Sequence, residues 1–266
     1  MKHSFHVIAL LLVLFLVAQI FGLIITTQYP SEKQLPLGIE RPALEKDTSF
    51  ISIFLFILLA TVIALILLKF ALFQLWRFWF FLSIFFTLTI SFAAFVPEMW
   101  AVVAGLVLAV WRVLKPNFII HNATELFIYG ALAAIFVPLL SIISIGILLL
   151  LISLYDYIAV RKTKHMVALA KMQGKQRVFA GLVIPNGKDV AILGGGDVGF
   201  PLLFAGVVMT QLGLGLFDWR TYLVPLCTAF MLFALFVFGE RKKFYPAMPY
   251  LTTGCFLGLG LVLLVI

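Results

Sequence analysis

Two aspartates within long apolar stretches are the residues of this chain best suited to chemistry. Asp156 follows a tyrosine near the end of one apolar run, and Asp197 follows three glycines at the start of the next. Charge at membrane depth costs a few kcal/mol, so such residues call for a functional explanation. Peptide hydrolysis without a metal needs a carboxylate that takes a proton from water and a carboxylic acid that polarises the carbonyl. Two aspartates held close supply both, since the pair keeps one proton.

The stretch before Asp197 has the pattern of a β-hairpin. Asn186-Gly187 stands between two β-prone runs, 178–184 and 189–193, and this dipeptide strongly favours a hairpin turn. A membrane helix can be cut only after it is unwound. The strand 190–193 would receive the unwound segment by strand addition, and the glycines after it would let another backbone approach closely.

Composition predicts an all-α polytopic membrane protein. Hydrophobic residues make up 64% of the 266, charged residues 11%, and the mean hydropathy is +1.19. Soluble domains have about 25% charged residues. The two cysteines lie in apolar runs and imply no disulfide framework. We expect no metal, no cofactor and no nucleic-acid partner, and we interpret the net charge of +8 as a signal of membrane orientation.

The apolar runs predict about nine transmembrane helices in a single protease domain, 1–266, with the small hairpin before the seventh helix. The first run is interpreted as a helix rather than a signal peptide, because no Ala-x-Ala cleavage site follows it. The predicted spans are 5–25, 50–68, 78–96, 99–114, 118–137, 140–160, 195–217, 221–238 and 248–266.

The basic residues predict an orientation for these spans. With an odd number of spans and a cytoplasmic amino terminus, fifteen of the 19 Lys and Arg residues fall on the inner side and four on the outer side. Cytoplasmic loops carry such an excess of basic residues. The amino terminus and the loop 161–188 are therefore predicted to be cytoplasmic, and the carboxyl terminus is predicted to lie outside. Asp156 and Asp197 would then lie near the inner face.

Three motifs in this order carry a family resemblance. Tyr155-Asp156, the Gly-x-Gly-Asp sequence that ends at Asp197, and Pro246–Pro249 resemble the presenilin and signal-peptide-peptidase family of intramembrane aspartyl proteases, most closely its archaeal presenilin-like members. The third motif is usually Pro-Ala-Leu, and Met248 stands in the place of the leucine. Met is similar to Leu in volume and polarity.

The resemblance implies an intramembrane aspartyl endopeptidase with Asp156 and Asp197 as catalytic residues. Its partners would be the lipid bilayer and transmembrane peptides or single-span membrane proteins as substrates, while the oligomeric state stays open. It also implies that Tyr155 orients Asp156 and that the proline-rich motif forms a wall of the site, although packing or a helix-start role explains these residues equally. The residues predicted to shape the site are Tyr155, Val190, Ala191, Ile192, Leu193, Gly194, Gly195, Gly196, Pro246, Ala247, Met248 and Pro249.

Two other classes of protein also use such aspartates. An ion- or proton-coupled transporter is the alternative function, but it would be expected to have more polar residues in the middle of its spans. Prepilin peptidases share Gly-x-Gly-Asp, but they have Lys where this chain has Gly199. No Gly-x-Ser-Gly or His-Glu-x-x-His sequence is present, which argues against serine and zinc proteases.

A polar cluster at the start of the fifth span has two interpretations. His121, Asn122 and Glu125 are expected to lie at the headgroup level and form hydrogen bonds there. The alternative is a proton relay or a substrate contact.

Overall fold

The computed structural model describes residues 5–70, 72–161, 179–186, 189–239 and 245–266. Within these ranges the chain forms nine α-helices and one antiparallel hairpin, as the sequence predicted. The elements are α1 (Phe5–Thr27), α2 (Ser49–Lys69), α3 (Phe73–Phe92), α4 (Glu98–Leu114), α5 (Phe118–Phe136), α6 (Ile142–Arg161), β1 (Gly181–Asn186), β2 (Asp189–Gly194), α7 (Gly195–Gln211), α8 (Leu223–Phe238) and α9 (Met248–Leu264).

In the part of the chain that the structure describes, six segments are long and apolar enough to cross a membrane by length and composition. They are Phe5–Thr27, Ser49–Leu67, Phe73–Phe92, Phe118–Leu139, Ile142–Arg161 and Trp219–Phe238. The helices α4, α7 and α9 have 17 residues each, or about 25 Å at 1.5 Å per residue. The protein is therefore an integral membrane protein, while nine complete crossings stay a prediction.

Two helices have limits that differ from the prediction. The helix predicted at 78–96 extends from Phe73 to Phe92. It begins before Arg77 because a charged side chain can lie on the surface of a helix, and Arg77 is exposed. The helix predicted at 195–217 ends at Gln211. Gly213 has a φ of 65°, and the Leu214 N–H donates to the Met209 carbonyl oxygen at 2.9 Å, which closes the helix as a glycine C-cap does.

The helix α7 is the centre of the molecule. It packs against α1, α5, α6, α8 and α9, and nearly all of its residues from Val198 to Met209 are buried. Two close contacts set the spacing, since a Cβ at Gly206 would lie 2.7 Å from Val137 and a Cβ at Gly22 would lie 2.2 Å from a Leu202 methyl carbon. Residues at the start of α7 are therefore held in place by the packing of this helix in the core.

The loop between α1 and α2 organises the end of the molecule opposite the hairpin. The Tyr29 hydroxyl donates to the Ile90 carbonyl oxygen at 2.7 Å, and the Arg41 guanidinium donates to the Ala134 carbonyl oxygen at 3.3 Å. Burial raises the pKa of the Tyr29 hydroxyl to about 12, against the opposing effect of Arg41. These bonds tie the loop to the carboxyl-terminal parts of α3 and α5.

The hairpin leads directly into α7. Val183 in β1 pairs with Ile192 in β2, and Gly181 pairs with Gly194. The predicted turn residues Gly187 and Lys188 lie outside the described residues. Because β2 ends at Gly194 and α7 begins at Gly195, the strand and the central helix are joined without a loop.

Candidate active site

Asp197 lies in the first turn of α7, three residues after the hairpin ends. A Cβ on Gly194 would lie 3.1 Å from an Asp197 carboxylate oxygen, so the carboxylate rests against the backbone of the last residue of β2. The Gly195 N–H donates to the Ala180 carbonyl oxygen at 3.1 Å, which holds the junction in place. The helix amino terminus also favours negative charge in its first turn.

Asp156 lies in the last turns of α6, five residues before the helix ends. Its Oδ2 atom accepts a hydrogen bond from the backbone N–H of Met248 at 3.1 Å. Ala247 is the N-cap residue of α9 and Met248 is its first residue. The carboxylate therefore uses an amide group that a helix cannot satisfy internally at its start.

The three sequence motifs lie at the ends of helices that pack together, and two of them are in direct contact. The helices α6, α7 and α9 pack against one another, and the end of α6 and the starts of α7 and α9 are the parts that carry the motifs. The proline-rich motif thus contacts Asp156 through its backbone. Pro246 and Met248 are buried, and Pro249 is half-buried.

The contacts of Tyr155 connect the site to another helix. Its hydroxyl donates to the Thr61 hydroxyl in α2 at 3.3 Å. This bond links α6 to α2 beside Asp156. The orienting role that the resemblance implies for Tyr155 stays a prediction.

The glycines before Asp197 differ in their surroundings. A Cβ on Gly195 would lie 3.3 Å from the Ala180 carbonyl oxygen, whereas a Cβ on Gly196 would make only an ordinary contact with Phe200 at 3.5 Å. Gly196 is also exposed. A Cβ at Gly194 would therefore crowd the Asp197 carboxylate and one at Gly195 would crowd the Ala180 backbone, whereas a Cβ at Gly196 would fit.

The residues of β2 alternate between the core and the exterior. Ala191 and Leu193 are buried, while Val190 and Ile192 are exposed by 53% and 43%. Among the described residues the sheet has only these two strands, so the outer side of β2 pairs with no further strand there. An exposed apolar strand next to a carboxylate is suited to pairing with an extended peptide.

The polar cluster of α5 is packed inside the protein. Asn122 and Glu125 are buried, and Asn122 and His121 form hydrogen bonds with the backbone of β1. Glu125 forms an ion pair with Arg112 of α4. The packing of α5 against the hairpin thus gives these side chains protein partners, while their placement at the headgroup level stays a prediction.

Gln19 is a residue near the site that the sequence analysis missed. Its side-chain amide in α1 donates to the Val198 carbonyl oxygen at 3.0 Å, and the side chain is fully buried. A glutamine within an apolar helix was the sequence feature that could have revealed it. The bond fixes the first turn of α7, which carries Asp197, against α1.

The described residues contain no group of three or more His, Cys, Asp or Glu side chains arranged to hold a metal ion. The site consists of carboxylates, backbone amides and an exposed strand. Such a set can hold water and an extended peptide through hydrogen bonds.

Comparisons with known proteins agree with this arrangement. Residues 12–197 match the family model described as signal-peptide peptidase, presenilin aspartyl protease. A solved presenilin-family intramembrane aspartate protease has a similar fold, at 19% identity and a TM-score of 0.73, covering 97% of this chain and 99% of that one. In a second crystal form the TM-score is 0.69, also at 19% identity, with 96% and 97% covered. No curated protein sequence matches significantly.

The family match spans more than half of the chain and includes both Asp156 and Asp197. The fold similarity extends over the remaining helices, including the proline-rich motif. The chain therefore belongs to the signal-peptide-peptidase and presenilin family of aspartyl proteases, and it is an intramembrane aspartic endopeptidase of the presenilin type.

Proposed function

We propose that Asp156 and Asp197 are the catalytic pair and hydrolyse peptide bonds in transmembrane segments by activating water. One carboxylate takes a proton from water, and the water oxygen attacks the carbon of the peptide carbonyl. The protonated partner carboxyl donates its proton to the carbonyl oxygen. The tetrahedral diol then collapses as the peptide nitrogen takes a proton and the C–N bond breaks. Water is the only co-reactant, and the products are a carboxylic acid and an amine.

The hydrogen bond from the Met248 N–H to Asp156 is the observation that supports this proposal most. It joins two of the three motifs, and the third lies at the start of the neighbouring α7. A carboxylate that accepts a hydrogen bond from a fixed backbone amide is held in orientation, which general acid–base catalysis requires.

We also propose that the substrate segment is unwound and pairs with β2. Both the N–H and the C=O group of Val183 bond to Asn122, so they point away from β2. In an antiparallel pair its partner Ile192 then also points both groups outward, as does Val190 two residues earlier. These groups are positioned to form backbone hydrogen bonds with an added strand.

Proline substitutions test the strand addition. Ile192→Pro removes an outward-facing donor while the ladder with β1 remains, so KM for a transmembrane peptide should rise. Ile192→Ala keeps the N–H and should lose less. Ala191→Pro is the comparison that breaks the hairpin's own ladder and should also lower the thermal stability. Normal KM for Ile192→Pro would show that the substrate does not pair there.

The substrates are proposed to be single-span membrane segments, such as signal peptides or stubs left by other proteases, cut within the membrane near the inner face. Purified protein should cleave a labelled transmembrane peptide, and an aspartyl-protease transition-state analogue should block the cleavage. Cleavage that proceeds unchanged in saturating analogue would contradict the proposal.

A further inference from the structure

The outer edge of β1 is occupied by side chains instead of a third strand. The Asn122 amide donates to the Val183 carbonyl oxygen at 2.7 Å, and the Val183 N–H donates to Asn122 Oδ1 at 2.9 Å. His121 Nε2 lies 2.7 Å from the Gly181 carbonyl oxygen, which can only accept, so this nitrogen carries the proton. Two alternate residues of β1, Gly181 and Val183, are therefore bonded from α5.

A carboxamide that both donates to and accepts from one residue reproduces the pairing that a neighbouring strand would offer. The Gly181 carbonyl oxygen and both outer groups of Val183 are consequently not available to an incoming peptide. Pro185, the next residue in this alternation, has no N–H to offer. The contacts at these three residues therefore leave few groups on the outer edge of β1 that could pair with an added strand.

A buried ion pair between α4 and α5 lies beside the segment that enters β1. Arg112 in α4 is 4% exposed, and its guanidinium contacts the Glu125 carboxylate, the Thr124 hydroxyl and the Phe179 carbonyl oxygen, which lies 3.1 Å away. Buried ion pairs contribute little net stability compared with apolar residues of the same size. A role in positioning the segment that enters β1 explains why the charges lie here.

We propose that Asn122, together with His121 and Arg112, forms an edge clamp that closes β1, so that a substrate strand adds to the hairpin only at β2 and in one register. This inference rests on the proposed strand addition. The clamp residues are positioning residues, since they contact the hairpin and not the reacting atoms. Because β2 runs into α7 three residues before Asp197, the register at β2 determines which peptide bond reaches the aspartates.

The test uses Asn122→Leu, which keeps the size and removes both hydrogen bonds. Because both bonds that hold β1 are lost, KM for a labelled transmembrane peptide should rise about tenfold with a smaller change in kcat. Mass spectrometry should show cleavage spreading from one peptide bond to neighbouring bonds, and amide exchange in residues 181–186 should be faster.

Gln211→Leu is a matched control at the other end of α7. Like Asn122, the Gln211 carboxamide both accepts from and donates to backbone. Its oxygen accepts from the Ile142 N–H at 3.0 Å, and its nitrogen donates to the Leu140 carbonyl oxygen at 3.1 Å. This variant should lower the melting temperature and leave KM and the cleavage positions unchanged. An equal rise in KM for both variants would overturn the clamp, because the effect would then be general destabilisation.

A second pair of variants keeps the test decisive if Asn122→Leu does not fold. His121→Leu removes the bond to Gly181, and His121→Gln restores a donor of similar reach, so the first should spread the cleavage positions and the second should narrow them again. Unchanged cleavage positions in both Asn122→Leu and His121→Leu would refute the clamp. If Ile192→Pro raises KM in that case, strand addition stands without the clamp; if it does not, strand addition itself is wrong.

Discussion

Each aspartate of the proposed catalytic pair lies close to backbone outside its own helical turn. Asp156 accepts the Met248 N–H at the start of α9, and the Asp197 carboxylate lies 3.1 Å from where a Cβ on Gly194 would be. Backbone groups cannot change rotamer, so they hold a carboxylate more firmly than a side chain would. Beside the aspartates, the residues expected to affect catalysis are therefore those that contribute a backbone N–H, such as Met248, and those that lack a side chain, such as Gly194.

Gly194→Ala should lower kcat about tenfold, because the added methyl group would lie 3.1 Å from the Asp197 oxygen and push the carboxylate by a few tenths of an ångström. Gly196→Ala should lose less, since its added methyl group makes an ordinary contact at 3.5 Å. Both are measured with a labelled transmembrane peptide at saturation. Equal activity of the two variants would show that the Gly194 contact does not position Asp197.

Met248→Leu should keep stability and turnover within about twofold, because the side chain is buried and the volumes are similar. The N–H that bonds Asp156 is unchanged in this variant. Met248→Ala keeps the same N–H but leaves a cavity that costs about 2–5 kcal/mol, so its melting temperature should fall. A large loss of turnover in Met248→Leu would mean that the sulfur or the shape of this side chain has a role in the reaction.

At the scale of elements, α9 depends on close contact with α8. A Cβ on Gly254 would lie 2.6 Å from the Thr228 Cα, and one on Gly258 would lie 2.5 Å from the Val224 Cα. Glycines four residues apart let two membrane helices approach until their backbones touch. This contact fixes α9, and thereby the amide that holds Asp156.

Gly258→Ala should separate α8 from α9 and destabilise the protein by about 1–3 kcal/mol, since the obstructing atoms are backbone. Gly260→Ala on the same helix is the control, because nothing lies within 4 Å of its added carbon. Thermal unfolding in detergent should separate the two variants. Similar melting temperatures would contradict the packing described for α8 and α9.

At the scale of the whole molecule, the loops fall into two groups at opposite ends. The segment 28–48 bonds to the ends of α3 and α5, whereas the hairpin bonds to the end of α4 and the start of α5. Alternation of helix direction produces this arrangement. Arg112 is one of the fifteen basic residues predicted to lie on the inner side, and its ion pair with Glu125 makes it a structural charge as well.

The orientation is tested by labelling single cysteines in a background without Cys227 and Cys255. A cysteine placed near Lys175 should react only after the membrane is made permeable, and one placed near Lys33 should react with an impermeant reagent in intact cells. Labelling of the Lys175 position from outside would reverse the predicted topology.

The sequence predicted the features that depend on local pattern. The apolar runs located the nine helices, and Asn186-Gly187 located the hairpin because turn chemistry is local. The end of α7 was missed because Gly213 was not recognised as a cap. The contacts of Asn122, Arg112 and Gln19 were missed because they depend on which helices meet the hairpin and α7, and apolar pattern alone does not specify neighbours.

Asp156 and Asp197 are proposed to act as one unit. Peptide cleavage by single and double variants of the purified protein tests this directly. Asp156→Ala, Asp197→Ala and the double variant should all be inactive to the same degree, since either loss removes the shared proton chemistry. Asp→Asn at either position should be equally inactive although the size is kept. Substantial cleavage of the labelled peptide by the folded Asp197→Ala protein, with contaminating proteases excluded, would contradict the account.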